Sequence, residues 1–341
     1  MAAIGMVACE MVGEDAARPV PSGDMLPGYV SLCESGELAE RARRLNGMLA
    51  SCSLCPRRCG VDRAAGAKGA CGTAGLPVLA SAYLHPWEEP PLSGGRGSGT
   101  LFFSGCTMSC VFCQNFPISQ LGVGRELTVE ALALEMLKLQ HRGAYNLNLV
   151  TGTHQMAFVL DALAIAVPRG LRLPLVCNTS GYESVEILRL LDGIVDIYLP
   201  DIKYSSPQIA RFCSGCPDYV GVNREALMEM WRQVGPLEMD GSGMARRGML
   251  VRHMVLPEDL SGTSECLSFL AEEMGRSVWV SLLSQYFPAH KAHGLPPLDR
   301  RISEREYEAA LEVLDKLGIV NGFVQDRACE EARFDFEDGC A

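Results

Sequence analysis

A chain of 341 residues with a formal net charge of −11 and an apolar share of 48% reads as a globular protein whose acidic balance disfavours a broad nucleic-acid face, because phosphate contact needs surplus Lys and Arg. No run of 18 uncharged apolar residues offers a membrane span, and Met1–Glu10 lack the basic n-region and cleavage site of a signal peptide. Fifteen cysteines without such a signal imply reduced thiols and metal ligation in a reducing, cytoplasmic setting rather than a disulfide framework.

Residues 1–51 read as a lead-in and one helix. Up to residue 33 no period is sustained, and Cys9 and Cys33 are read as free thiols. From Ser35 to Ala50, Leu38, Ala42, Leu45 and Leu49 fall on one helical stripe, with Ser35 as N-cap. Residues 52–95 form a metal-binding subdomain and linker. Cys52, Cys55, Cys59 and Cys71 stand at C-x2-C-x3-C-x11-C, a closed set of four thiolates, with Gly69 and Gly72 letting the backbone wrap tightly. Three readings stay open for this set: a structural zinc knuckle, a second [4Fe–4S] cluster, or, least suited to the tight spacing, four buried thiols. His85 to Pro91 follows as a link, in which Pro90 and Pro91 predict extended backbone and His85 and Glu88 a polar lock. Ser93 to Gly99 is expected to be a flexible glycine loop.

Residues 96–326 alternate apolar runs with amphipathic helices. Strands are predicted at Thr100–Phe103, Asn146–Val150, Leu173–Cys177, Ile194–Leu199, Met249–Val255 and Val278–Leu283. Helices are predicted at Thr128–Gln140, His154–Ala166, Glu183–Leu191, Arg224–Val234, Ser264–Met274 and Ser303–Leu317. Six βα units imply an α/β fold with a parallel sheet, a partial (β/α)6 barrel rather than a closed eight-fold one. In such a barrel the chemistry lies at the C-terminal strand ends. Cys106, Thr151-Gly152-Thr153, Asn178 to Gly181, Asp201 to Lys203, Arg252-His253 and Ser284 to Tyr286 all fall at or just past such ends. Residues 327–341 form an acidic tail, with five acids from Cys329 on.

Cys106, Cys110 and Cys113, at C-x3-C-x2-C, carry the sharpest signal. Three thiolates on one loop hold three irons of a [4Fe–4S] cube and leave the fourth open, whereas four would confine the cluster to electron transfer. The rival readings are a zinc site with a remote fourth ligand, or three buried small thiols. With Phe112 between the last two cysteines, this loop resembles the signature of the radical S-adenosylmethionine (SAM) enzymes. Gly97 to Cys106, Cys113-Gln114-Asn115 and Val150 to His154 resemble the pyruvate formate-lyase activating enzyme-related, PflX-like branch, and the likeness runs from about Cys52 to Gln325.

That resemblance implies a radical SAM partial barrel with an N-terminal cysteine-rich subdomain, and SAM bound at the open iron through its amine and carboxylate. It implies reductive cleavage to methionine and a 5′-deoxyadenosyl radical that abstracts hydrogen. Thr151, Gly152 and Thr153 take the place of the family's Gly-Gly-Glu-like segment, although the glutamate is missing. Asn178 and Ser180 are assigned to the ribose or carboxylate. Asp201 and Lys203 resemble the Asp-x-Lys segment of activating enzymes, with a plain ion pair as the alternative. Arg252 is assigned to the SAM carboxylate, and His253 and Tyr286 to the substrate side.

The implied partners are SAM, an external one-electron reductant such as flavodoxin or ferredoxin, and, in the glycyl-radical activation version, a protein substrate. A small-molecule or peptide version calls for a lid, for which Pro236 to Arg247 is the candidate. A non-catalytic iron–sulfur electron-transfer protein is the alternative from another class. Cys213-Ser214-Gly215-Cys216 is read as unligated, and Cys177 and Cys266 as core.

Overall fold

Short apolar runs separated by amphipathic helices favour a sheet with helices packed outside it. The computed structural model, which describes residues 26–325, has that build. It opens with α1 (Gly28–Glu34) and α2 (Glu37–Gly47), then a cysteine-rich coil, β1 (Val78–His85), α3 (Pro90–Ser93) and β2 (Ser98–Phe103). Next come α4 (Phe116–Ser119), β3 (Arg125–Glu126), α5 (Val129–His141), β4 (Leu147–Val150), α6 (Met156–Ala166), β5 (Leu175–Thr179), α7 (Val185–Leu190) and β6 (Ile197–Pro200). The last third holds α8 (Pro207–Ser214), α9 (Tyr219–Val234), β7 (Glu238–Met239), β8 (Ala245–Met254), α10 (Thr263–Met274), β9 (Trp279–Leu283), α11 (Glu304–Leu317) and β10 (Asn321–Val324).

The sheet order is β10-β9-β8-β6-β5-β4-β2-β1-β3, with β7 added on β8. From β2 to β10 every neighbouring pair is parallel, whereas β1 runs antiparallel to both β2 and β3. The six predicted strands are therefore neighbours in chain order, and their C-terminal ends form one rim. α6 is buried nearly all round, between the sheet and α2 and α5, which is why its sequence is apolar on every side. The side-chain cap predicted for the helix after Thr128 is present: Thr128 Oγ1 accepts from Ala131 N–H at 3.2 Å.

Several expectations need correcting. Part of the lead-in is helical: α1 is held because Tyr29 is fully buried and its hydroxyl donates to Leu173 O at 2.7 Å. Ser35 does not cap the next helix. Gly36, at φ +80, is its N-cap, and the left-handed turn there needs a residue without Cβ. Pro90 and Pro91 start α3 rather than forbid it, since proline in the first turn has a helix-ready φ and loses no intrahelical hydrogen bond. β1, α8 and β10 were not predicted at all, and α9 begins five residues ahead of Arg224.

Pro236 to Arg247 is a hairpin, closed by Asp240, whose Oδ1 accepts from Ser242 N–H at 2.8 Å and whose Oδ2 accepts from Arg246 Nε at 2.6 Å. It precedes the point where Gly248 pairs with Ile197, the first residue of β6, so it sits on the rim opposite the strand ends and cannot cover them. Cys9 and the acidic tail lie outside the described residues.

Candidate active site

β2 delivers the three-cysteine loop to the rim. The chain turns at Gly105, φ +83, where a side chain would press on the Cys71 carbonyl oxygen and come within 2.9 Å of Thr73 and 3.1 Å of His154. Cys106, Cys110 and Cys113 follow as half-buried free thiols. Each has a polar neighbour on its sulfur: Met108 N–H donates to Cys106 at 3.4 Å, Ser214 Oγ to Cys110 at 3.0 Å, and Ser119 Oγ lies 3.2 Å from Cys113. Burial, and then the neighbouring thiol of Cys110, push Cys106 and Cys113 up from the ordinary thiol value. Gathered thiols of this kind become thiolates only against strong positive charge, which a metal centre supplies.

Facing the loop is Lys203, whose Nζ donates to Asp201 Oδ2 at 2.5 Å. Burial opposes its charge, yet Asp201, with Cys110 and Cys113 close by, raises its pKa overall. Tyr219 fixes this segment: its hydroxyl accepts from Lys203 N–H at 3.1 Å and donates to Ser180 O at 2.9 Å. At the end of β4, Thr151 takes φ +57, an outlier for a β-branched residue and of the kind that gathers at functional sites. Thr151 N–H donates to Asn178 O at 3.0 Å, joining the β4 and β5 ends. Asn178 and Ser180 are partly exposed on that rim, and Gly152 is buried.

Glu183 is a site residue that no motif points to. Its buried carboxylate accepts hydrogen bonds from Thr153 and Thr179, and burial raises its pKa to about 7, with both threonines pulling the other way. A carboxylate thus reaches the Thr151–Thr153 turn from the next strand end. In sequence it looked like an ordinary helix-start acid.

Three assigned residues have other work. Arg252 is forked onto Glu88 and Glu89, with Nε 2.8 Å from Glu89 Oε1 and Nη2 2.5 Å from Glu89 Oε2, and Glu88 also accepts from Asn148 Nδ2 at 2.8 Å. This is a polar lock at Glu88, as expected, but built with Glu89, Arg252 and Asn148 rather than with His85, whose Nδ1 has no hydrogen-bond partner among the described residues, and it takes up the guanidinium assigned to the SAM carboxylate. His253 is fully buried between Ile202 O at 2.7 Å and Thr263 Oγ1 at 3.1 Å. Tyr286 donates to Leu298 O at 2.6 Å and meets Phe112 edge-on. Both are interior braces rather than substrate-side groups. His154 is buried, with Nε2 2.8 Å from Ser104 O, and burial lowers its pKa to about 4.

The coil around Cys52, Cys55, Cys59 and Cys71 packs directly on this rim. The Cys59 and Cys71 sulfurs flank Gly69, 3.2 and 3.6 Å from where a side chain there would begin. Burial pushes Cys55 up to about 12. Arg63, fully buried, donates to His154 O at 2.8 Å, to Thr73 Oγ1 at 3.1 Å and to Ala74 O at 3.0 Å. Arg57 donates to Thr107 O at 2.8 Å, inside the three-cysteine loop.

Residues 100–233 match the model of the radical SAM superfamily. An uncharacterized protein of Methanocaldococcus jannaschii is 30% identical over 279 residues, 79% of this chain and 75% of that relative. The chain belongs to the radical SAM superfamily. Within it, the chain falls in the branch related to pyruvate formate-lyase activating enzymes. The pyruvate formate-lyase 1-activating enzyme of Escherichia coli K12 is 23% identical over 243 residues, 65% of this chain and 92% of the relative. The solved structure of native anSMEcpe with bound AdoMet aligns at TM-score 0.43 and 12% identity, covering 65% of this chain and 61% of that one.

For this radical SAM protein the family implies a [4Fe–4S] cluster and SAM, and SAM-dependent radical chemistry. The donor set fits such a cluster: three free thiols on one loop, each with a polar neighbour on its sulfur, beside the half-buried Lys203. Among the described residues, no three His, Cys, Asp or Glu side chains close on one point as a single metal ion requires. A cube asks for no such closure, because each iron takes its own sulfur. Among the described residues no helix is long and apolar enough to cross a membrane.

Proposed function

We propose that this chain is an activating-type radical SAM enzyme that abstracts hydrogen from a protein partner to install a glycyl radical, in the cytoplasm and with flavodoxin or ferredoxin as reductant. The observation that carries it is the meeting of Cys106, Cys110 and Cys113 with the Asp201–Lys203 pair on the same rim as the strained Thr151 turn. A bound cluster, held by Cys106, Cys110 and Cys113 and reduced by the external donor, would supply the one electron that reductive cleavage of SAM needs.

The chain's own residues do the rest. Cys106, Cys110 and Cys113 hold the cluster, and Met108 N–H and Ser119 stand against the first and last of their sulfurs. Asp201 and Lys203 offer opposite charges to the zwitterionic end of SAM, with Lys203 kept cationic. Thr151 to Thr153 present backbone acceptors to the amine, with the Glu183 carboxyl behind Thr153. Asn178 and Ser180 reach the ribose. The position of the Pro236–Arg247 hairpin on the far rim favours an open mouth, as a large substrate needs, over a lidded small-molecule pocket.

A second part of the reading is a four-thiolate iron–sulfur centre rather than a single zinc ion at Cys52, Cys55, Cys59 and Cys71, since among the described residues no three such side chains close on one point, on a subdomain of residues 52–95 set against the 96–326 barrel. The Cys59 and Cys71 sulfurs brought together around Gly69 support it, as does Arg63 tying the coil to the Thr153–His154 turn. Anaerobic reconstitution with SAM and dithionite tests the main proposal: 5′-deoxyadenosine should form, and should vanish in Cys110→Ala. No product from either protein overturns it. Metal analysis with Mössbauer spectroscopy on wild type and Cys55→Ala reads the second centre, and identical metal content in the two proteins rules it out.

A further inference from the structure

The turn that ends α8 lies against the three-cysteine loop, although neither Cys213 nor Cys216 belongs to either ligand set. Val111 N–H donates to Cys213 O at 2.8 Å, and Ser109 N–H donates to Ser214 O at 3.3 Å. The two amides flanking Cys110 are thus held by one short segment. Between them the fully buried Ser214 donates from Oγ to Cys110 Sγ at 3.0 Å. Tyr204, 2% exposed, brings its hydroxyl to 2.7 Å from Ser214 Oγ. A serine has one proton to give, and a thiolate ligand has none, so Ser214 must donate to sulfur and Tyr204 to Ser214. Arg57 steadies the outer side of the turn, through Gly215 O at 2.9 Å and Cys216 Sγ at 3.0 Å.

We propose that Ser214, backed by Tyr204, is a positioning residue for the iron–sulfur cluster: it fixes the Cys110 sulfur and raises the reduction potential of the cluster that Cys110 holds. The inference rests on the cluster assignment to Cys106, Cys110 and Cys113. Adding one electron to a cluster puts more negative charge on its sulfurs. A hydroxyl aimed at one of those sulfurs in a buried setting therefore stabilises the reduced form more than the oxidised form. A donor already polarised by a second hydroxyl does so more strongly. The alternative is that Ser214 merely satisfies a buried hydroxyl with the nearest acceptor, in which case the potential is indifferent to it.

The test is an EPR-monitored redox titration of anaerobically reconstituted protein without SAM, on wild type, Ser214→Ala, Ser214→Thr and Tyr204→Phe. Ser214→Ala should shift the midpoint negative by about a tenfold change in the reduction equilibrium, 59 mV for one electron. Tyr204→Phe should move it the same way by less, and Ser214→Thr, which keeps the hydroxyl, should stay near wild type. An unchanged midpoint in a fully loaded Ser214→Ala protein overturns the proposal. Should Ser214→Ala fail to take up iron, Tyr204→Phe decides, and an unmoved midpoint there overturns it equally. A wild-type protein that takes up no cluster at this loop defeats the cluster assignment itself, a different and separately visible failure.

Discussion

Replacing Arg252 by Met strips the single guanidinium from between Glu88 and Glu89, both 8% exposed. In the wild type, burial works to raise Glu89, but Arg252 outweighs it and holds the carboxyl below its ordinary value of 4.5. Removing one partner of a buried ion pair costs about 3–5 kcal/mol, because the charge left behind has neither water nor counter-ion. Here two carboxylates are left behind, so the upper half of that range applies at pH 8. The pH dependence should change sign as well. In the wild type the Glu89 contribution is present above its unfolded pKa and is lost as pH falls through the lowered folded value. In Arg252→Met, burial of Glu89 is left unopposed and its folded carboxyl binds a proton more tightly than the unfolded chain does, so the deficit should shrink as pH falls from 8 to 5. Urea midpoints of both proteins at the two pH values are the assay. A loss below about 1 kcal/mol at pH 8, the range of an exposed pair, would refute the lock. A stable variant with weakened SAM binding would restore Arg252 to the SAM carboxylate.

Gly105→Ala should cost about 2–4 kcal/mol, from the left-handed backbone and the new methyl group driven against the Cys71 carbonyl, and should lower iron uptake; a variant with wild-type melting and iron content counts against the packing of the coil on the loop. Glu183, with its pKa raised to about 7, keeps a proton in the fold that the unfolded chain has released, so its contribution to stability falls as pH rises from about 4.5 to 7. Glu183→Gln should flatten that slope and stabilise the fold above pH 7 by up to about 3 kcal/mol. Asp196, also raised to about 7 by burial, supplies the slope that remains, and a profile of melting temperature against pH that Glu183→Gln leaves unaltered refutes the assignment.

The parallel strands were legible because each is a short, nearly unbroken apolar run between helices of clear period, and such runs have few other places to go. The cysteine loop was legible for a related reason: its ligands are local, and spacing alone places three sulfurs together. What escaped depends on contacts distant in sequence. β1 is half-buried with no alternation to read, and α1 owes its order to Tyr29 reaching Leu173 across 144 positions. Arg252 carries the same charge whether it meets a ligand or Glu88 and Glu89, 163 residues or more away. Ser214 and Glu183 each act through two side-chain hydrogen bonds, and the decisive one in each case, to Cys110 and to Thr153, reaches a residue distant in sequence.

Arg57 and Arg63 stand six positions apart on the cysteine-rich coil, one reaching Thr107 and the other the carbonyl of His154. The stretch between them therefore works as a caliper, whose two jaws close on separate loops of the rim. Apart from Cys59 and the left-handed Gly60, side chains along it are free to vary, but its length is not. Related chains should differ there by substitution and hardly ever by insertion or deletion, since one extra residue would lift a jaw from its seat.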